Sequence, residues 1–444
     1  MLTHPLPQAR RDLWAPLDVG APQLLDEEHA RHRCTFRVPD EWNARTLLRF
    51  GAVDWRATVT LDGIELGSHE GGYTHFTFDA GALESGSEHE VVIDAYDPLE
   101  DAFGQAKGKQ RGSHDIWYTR TIGAWRPVWI EGVPETYIRD PRPLLDAIEI
   151  EDPRLWSPSD PHLYDVEVRL DEDVIHSYVG FRTIERRGRE LYLNGERIRL
   201  AGVLDQGYWP DTVYSASDEE LRADVEWTKQ LGFNLARKHV KVEDPRWYAY
   251  CDRAGLLVAQ DMPSSHSLAT DEARARFVDE WCEIVAQLRH HPSVVMWIPI
   301  NEDWGGPPAD FQRDLVRATR TTDGTRLVVD ASGWKQLGET DLVDVHDYGA
   351  ELTRHRGKRD DIPLWFGELG GLSVGSGDFV YRHVDDLAAG YRAIVEQIPD
   401  DVAGFCWTQL TDVEQEQNGL LTADRRPKAD PTAIRAVNEA FLRA

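Results

Sequence analysis

Hydrophobic and polar positions change their period along this chain. From about residue 30 to 135, short β-rich runs alternate with turn signals, and no helical period lasts ten residues. In LLRFGAVDWRATVTLDGIELGSHEGGYTHFTFDA the runs are broken at Asp62-Gly63 and Gly71-Gly72, pairs that suit tight hairpins and turns. An antiparallel β-sandwich is the economical expectation. Residues 136–188 carry a smaller strand-rich piece, including LYDVEVRL and HSYVGFRTIE. It has about 50 residues, half of what an immunoglobulin-like sandwich uses.

From Arg189 onward strands alternate with helical segments. Eight apolar β-candidates follow in order: RIRLAGVLDQ, FNLARKH, GLLVAQDMP, SVVMWIPINE, RLVVDASGW, LVDVHDYG, PLWFGELGG and VAGFCWTQLTD. The stretch DEELRADVEWTKQL (218–231) reads as a helix with Ser217 as N-cap and Gly232 as its stop. Residues 271–289 read as another, capped by Thr270, with Phe277, Trp281, Ile284, Val285 and Leu288 on one apolar stripe. Eight such units are the arithmetic of a (β/α)8 TIM barrel. The expected division is therefore a sandwich at 1–135, a truncated β region at 136–188 and a barrel at 189–444.

Composition narrows the partners. The 444 residues carry 78 acidic and 49 basic side chains, a formal charge of −29, and only eight of the basic residues are lysines. That field repels phosphate backbones and anionic lipid, so no nucleic acid and no membrane surface is expected as a partner. The acidic excess suggests a coat suited to salty or crowded solution. With 41% hydrophobic residues and 16 tryptophans, the chain has material for buried cores. No stretch approaches the roughly 18 apolar residues of a membrane span, and MLTHPLPQARRDLW lacks a signal-peptide core. Cys34, Cys251, Cys282 and Cys406 are too sparse for a disulfide framework and fit no metal spacing. Reduced thiols and a cytoplasmic location are the expectation.

Reactive groups of such a barrel belong at the C-terminal ends of its strands. In order these ends offer Asp205; Arg237 and His239; Asp261; Asn301 and Glu302; Trp334; His346, Asp347 and Tyr348; Glu368; and Gln409 with Asp412. Strands four and seven each present a glutamate, and the two can face each other across the mouth. A carboxylate pair about 5–5.5 Å apart is the minimum equipment of a retaining glycosidase, one attacking the anomeric carbon and the other protonating the leaving oxygen. Apolar Trp297, Ile298 and Ile300 beside Glu302 favour it as the protonated member. Arg237 or a tyrosine hydroxyl would hold Glu368 ionised. Such chemistry needs no cofactor and no metal. Two other readings stand beside it: ordinary barrel-end glutamates, or a metal-dependent hydrolase using His239, His346 and Asp347, which requires three ligands meeting at one point. HEGGY (69–73) lacks the strand–loop–helix setting of a phosphate cradle and reads as a hairpin.

The chain resembles glycoside hydrolase family 2, the β-galactosidases, β-glucuronidases and β-mannosidases. The resemblance rests on FGAVDWRATVTLDGIELGSHEGGYTHFTFD and IWYTRTIGAWRPVWIEGV for a jelly-roll sugar-binding domain, and on PRLWSPSDPHLYDV and VGFRTIE for the end of an immunoglobulin-like domain. In the barrel it rests on LGFNLARKH, CDRAGLLV, RHHPSVVMWIPINE and FGELGG. It implies that Glu302 is the acid/base, Glu368 the nucleophile, and Asn301 the partner of the sugar 2-hydroxyl. Arg237 and His239 would support the nucleophile. Asp205 and Asp261 fall where the family presents substrate-binding groups. TQLTDVEQEQNGLL looks like a less-studied branch, in which Gln409, Asp412 and Glu414 help define the sugar pocket, a loop-building role being the alternative for the last two. Trp334, His346, Tyr348 and Trp407 complete the expected sugar site, with Trp209 and Trp304 as further stacking candidates.

Two departures qualify the resemblance. The immunoglobulin-like region is too short for seven strands, which leaves a partial sheet leaning on the barrel or one completed in a homo-oligomer. The Asn-x-Lys element with which β-glucuronidases grip a carboxylate is absent from LGGLSVGSGD after Glu368. The expected activity is a retaining exo-β-glycosidase of β-galactosidase-like preference on a carbohydrate substrate. β-Glucuronidase, β-mannosidase and furanosidase specificities, or a non-catalytic carbohydrate-binding protein, are the alternatives.

Overall fold

The computed structural model describes residues 6, 9–10, 13–22, 27–40, 42, 45–99, 103–352, 361–374 and 381–444. Ten strands form the N-terminal layers: β1 (Trp14–Leu17), β2 (His29–Arg37), β3 (Arg45–Phe50), β4 (Val53–Asp54), β5 (Arg56–Leu61), β6 (Ile64–Glu70), β7 (Phe76–Ala82), β8 (Glu88–Tyr96), β9 (Gly123–Ala124) and β10 (Val128–Val133). They pair as two four-stranded antiparallel sheets, β1-β10-β3-β7 and β2-β8-β5-β6, with β4 and β9 as a short extra ladder. The period of two is plain in β2, where Ala30, His32, Cys34 and Phe36 turn inward and Arg31, Arg33, Thr35 and Arg37 outward. Phe50, Val59, Val91, Ile93 and Ile130 fill the space between the sheets. Asp62 (φ 51°) and Gly63 (φ 79°) join β5 to β6, the paired positive φ angles of a hairpin turn.

His69 and Glu70 of HEGGY end β6 and its last three residues form a turn, which receives a carboxyl group from the chain itself. Tyr73 N donates to Glu280 Oε1 at 3.1 Å, close beside Gly71.

The middle region holds α1 (Arg142–Asp146) and the hairpin β11 (Tyr164–Leu170)–β12 (Asp173–Val179). Tyr178 Oη donates to Asp252 Oδ2 at 2.7 Å, which ties the hairpin to the barrel. Buried Arg10 bonds both Asp173 and Glu131, which ties it to the sandwich. A second small sheet, β13 (Ile184–Arg187), β14 (Glu190–Leu193) and β15 (Glu196–Ile198), is continuous across residue 188, because Gly188 lies in the turn between its first two strands. Ile184, Leu191 and Leu193 plug the lower end of the barrel, against Leu200, Leu235, Leu257 and Trp365.

The barrel runs β16 (Leu200–Asp205), α2 (Asp218–Gln230), β17 (Leu235–Lys238), α3 (Pro245–Ala254), β18 (Leu257–Asp261), α4 (Asp271–Leu288), β19 (Val294–Ile298), α5 (Ala309–Thr322), β20 (Leu327–Val328), β21 (Val343–Asp347), β22 (Leu364–Gly370), β23 (Leu372–Ser373), β24 (Arg382–His383), α6 (Leu387–Val395), β25 (Gly404–Thr408) and α7 (Pro431–Arg443). The eight expected strands form one parallel sheet, β20-β19-β18-β17-β16-β25-β22-β21. At the remaining seam a loop replaces the ladder: Asp341 N donates to Val328 O, and Asp341 Oδ2 accepts from Val328 N, both at 2.8 Å. The eight regular units expected are therefore not all present, since no helix separates β20 from β21. The two anticipated helices start where their caps predict. Ser217 and Glu220 form a capping box on α2, Thr270 caps α4, and the α4 stripe from Phe277 to Leu288 is buried. All four cysteines are free, and no helix among the described residues is long and apolar enough to cross a membrane.

Candidate active site

Strand alternation decides which side chains reach the barrel mouth. On β17, Arg237 turns into the barrel, whereas Lys238 turns outward onto the Trp247 ring. Asp261 ends β18 and is fully buried, accepting from Arg237 Nε (2.9 Å) and Nη2 (2.9 Å), His239 Nδ1 (2.8 Å) and Val240 N (3.3 Å). Both of its oxygens are engaged and the side chain is fully buried, so it orients Arg237 and His239.

Glu368, on β22, is the convergence point. Arg237 Nη1 lies 3.3 Å from Oε1, Tyr348 Oη donates to Oε2 at 2.5 Å, His346 Nδ1 lies 3.6 Å from Oε2, and His239 Nε2 lies 4.0 Å from Oε1. Burial by itself would raise this carboxyl; the charges of His346, His239 and Arg237 with the Tyr348 hydroxyl outweigh it and bring it down to about 2. Glu302 approaches from the end of β19. Glu302 (φ 49°) and Asp303 (φ 60°) both adopt left-handed backbone, a turn that carries the side chain over the mouth. Glu302 Oε1 lies 2.6 Å from His346 Nδ1, and one ligand atom each of Glu302, His346 and Glu368 lies within 4.8 Å of the others. Burial works against charge on His346, but Glu368, Glu302 and Asp344 raise its pKa above the ordinary histidine value.

Asn301 Oδ1 accepts from Arg237 Nη2 at 2.8 Å. Its buried Nδ2 makes no hydrogen bond among the described residues, so a donor is left over for a ligand. Trp334 is 53% exposed, with its ring 5.7 Å from that of His346 in an edge contact. Tyr348 stacks on Tyr381 at 3.7 Å. Trp304 packs 4.8 Å from Trp117, a residue of the sandwich, and Trp117 lies 4.9 Å from His266.

Several expected site residues are directed elsewhere. Asp205 turns out of the barrel to Lys238 Nζ (2.8 Å) and Gly207 N (2.9 Å). Trp407 is fully buried in the outer core, 4.4 Å from the Tyr391 ring, because its position on β25 faces the helices. Trp209 is likewise buried, beside Lys241 and Arg425. Gln409 is buried between Gln206 and Asn418. Asp412 pairs with Lys428 at 2.7 Å, and Glu414 accepts from Thr119 N at 3.0 Å, so both organise the loop after β25. The set His239, His346 and Asp347 does not converge: His239 Nδ1 is bound to Asp261, and Asp347 Oδ1 accepts from Gly349 N at 2.9 Å. Ser332, Asp344, Tyr381, Trp117 and His266 join these surroundings without a mark in the sequence. The first two lie behind His346, and Trp117 comes from another domain, so no local signal marks them.

A family model described as glycosyl hydrolases family 2, TIM barrel domain, matches residues 184–347, and one described as glycosyl hydrolases family 2 matches residues 100–182. A β-galactosidase of Thermoanaerobacter pseudethanolicus is 23% identical over 391 residues, covering 74% of this chain and 51% of that protein. A putative β-glucuronidase of Formosa agariphila is 25% identical over 327 residues, covering 60% of this chain and 38% of that protein. The chain thus spans about half or less of these relatives' length. Among solved structures, a β-galacturonidase from Eisenbergiella tayi superposes with TM-score 0.78 at 17% identity, covering 93% of this chain and 89% of that one. A β-D-glucuronidase of Dictyoglomus thermophilum gives 0.80 at 18% identity, covering 99% and 98%. At these identities the likeness is one of fold.

Proposed function

Since this chain belongs to glycosyl hydrolases family 2, we propose that it is a retaining exo-β-glycosidase. The observation that carries the reading is the carboxylate pair, with oxygens of Glu302 and Glu368 within 4.8 Å. Glu368, ionised and oriented by Arg237 and Tyr348, attacks the anomeric carbon. Glu302 gives a proton to the departing oxygen, then removes one from the water that releases the sugar. Asn301 Nδ2 donates to the 2-hydroxyl, a contact that tightens as positive charge grows on the ring.

A β-galactoside is the preferred substrate in this reading. Support comes from the Thermoanaerobacter relative's name and from the missing Asn-x-Lys element, which falls partly outside the described residues. Uronides are the second reading, favoured by the names of the superposing structures. The experiment is turnover of nitrophenyl β-glycosides, neutral and uronic, pyranose and furanose, by wild type, Glu302→Gln and Glu368→Gln. Each substitution should cost at least about 100-fold. Wild-type turnover in both variants would refute the assignment, and sugar binding without turnover by wild type would mark a non-catalytic carbohydrate-binding protein.

A further inference from the structure

Behind Glu302 a line of hydrogen bonds runs from the mouth into the barrel wall. His346 Nδ1 lies 2.6 Å from Glu302 Oε1, and its Nε2 lies 2.7 Å from Ser332 Oγ. Ser332 Oγ lies 2.9 Å from Asp344 Oδ2, while Asp344 Oδ1 accepts from Gly367 N at 3.1 Å. Ser332, Asp344 and His346 are all buried. His346 also faces Glu368 at 3.6 Å, Asp344 Oδ1 at 3.8 Å, the Arg237 cation and the edge of Trp334.

Counting protons gives this line a direction. A hydroxyl has one hydrogen, and a carboxylate can only accept, so the Ser332 hydrogen goes to Asp344. Ser332 then meets Nε2 with a lone pair, which requires hydrogen on Nε2. With Nε2 protonated, Nδ1 of a neutral imidazole accepts from a protonated Glu302; equivalently, an imidazolium donates to its carboxylate. In either form the pair can release one proton and leave neutral imidazole behind. With the opposite tautomer, Nδ1–H facing a Glu302 carboxylate, release of the shared proton would leave an imidazolate, which is not accessible near neutral pH.

Resting on the acid/base reading of Glu302, we propose that Ser332 and Asp344 are positioning residues that hold His346 as its Nε2–H tautomer and so keep a transferable proton on Glu302. Neither touches the sugar. They act through the imidazole, as a buried carboxylate sets the tautomer of a catalytic histidine elsewhere.

Asp344→Asn tests this. The new amide keeps its oxygen toward Gly367 N and turns its NH2 to Ser332, which reverses the Ser332 hydrogen toward Nε2. Nitrogen-15 spectra of histidine-labelled protein, taken above the pH at which His346 loses its charge, should show the remaining ring proton moved from Nε2 to Nδ1. On phenyl β-glycosides, which need an acid, kcat/KM should fall roughly 10- to 100-fold. On 2,4-dinitrophenyl β-glycosides of the same sugar, whose leaving group departs unprotonated, the loss should be much smaller. Ser332→Ala, a smaller change, should shift the same ratio in the same direction. An unchanged tautomer together with an unchanged ratio overturns the proposal. Glu302→Ala is the control: if it also leaves the ratio unchanged, the acid/base reading has failed, and the tautomer spectrum, which needs no substrate, judges the relay by itself.

Discussion

Glu368 shows how much of a residue's chemistry is made by its neighbours. Its carboxyl lies at about 2 in the fold against an ordinary 4.5, so its stabilising contribution is present above pH 4.5 and is lost as pH falls toward 2. His346 is shifted upward, so its contribution is full below the ordinary 6.5 and is lost as pH rises through its raised value. Glu368→Gln should therefore flatten the dependence of the melting temperature on pH between 4.5 and 2, a slope that wild type keeps. Trp334 makes the second prediction at this scale. Trp334→Ala should lower kcat/KM roughly 2- to 10-fold by removing a stacking face, with little change in melting temperature. Trp407→Ala should do the reverse, because that ring is buried against Tyr391. The pair explains why site reading from the strand ends was uneven. Arg237, Asn301, Glu302, His346, Tyr348 and Glu368 are joined in one bonded cluster, while Asp205 and Trp407 occupy outward positions of the same strands. A strand end can be found by its apolar run, but a one-residue uncertainty in where it ends exchanges the two faces.

At the level of elements, local rules govern most of what was anticipated. The capping box on α2 and the Thr270 cap on α4 satisfy amide groups within four residues of chain, so their signals are complete in the sequence. Ser217→Ala should cost about 1 kcal/mol, read as a lower denaturant midpoint with an unchanged m-value. The Asp62-Gly63 hairpin was legible for the same reason. The three-stranded sheet β13-β14-β15 was harder to see. Its strands are three or four residues long, and what orders them is the apolar plug under the barrel, assembled from Leu200, Leu235 and Leu257 of three different strands. The loop after β25 follows the same pattern. Asp412 is held by Lys428, beyond the reach of a turn or helix period, and Glu414 by Thr119 of the sandwich, a contact that no window of sequence contains.

Over the whole molecule, the sandwich and the barrel share a core. Tyr73 and Trp125 from one pack with Tyr214, Trp247 and Trp281 from the other, and Tyr73 Oη bonds Tyr214 Oη at 2.6 Å. Glu280 links the same two domains through Tyr73 N. Burial raises its carboxyl to about 7, against the opposing pull of the Tyr73 and Gly72 amides and Arg126. A raised carboxyl favours the protonated form, so stability falls as pH climbs from 4.5 to about 7. Glu280→Gln, which keeps an acceptor for Tyr73 N, should remove that decline in a series of melting temperatures across the interval.

The sequence by itself determined the order of the eight barrel strands, the caps of two helices and the two glutamates at strand ends four and seven. These follow from interactions among residues close in the chain, where spacing alone carries the physics. The tertiary structure decided which outward groups were mistaken for site residues, how Trp117 reaches Trp304 from another domain, and how Asp344 and Ser332 come to stand behind His346. Closing the barrel brings together residues from different strands, and burial then multiplies the effect of each charge and hydrogen bond upon the next.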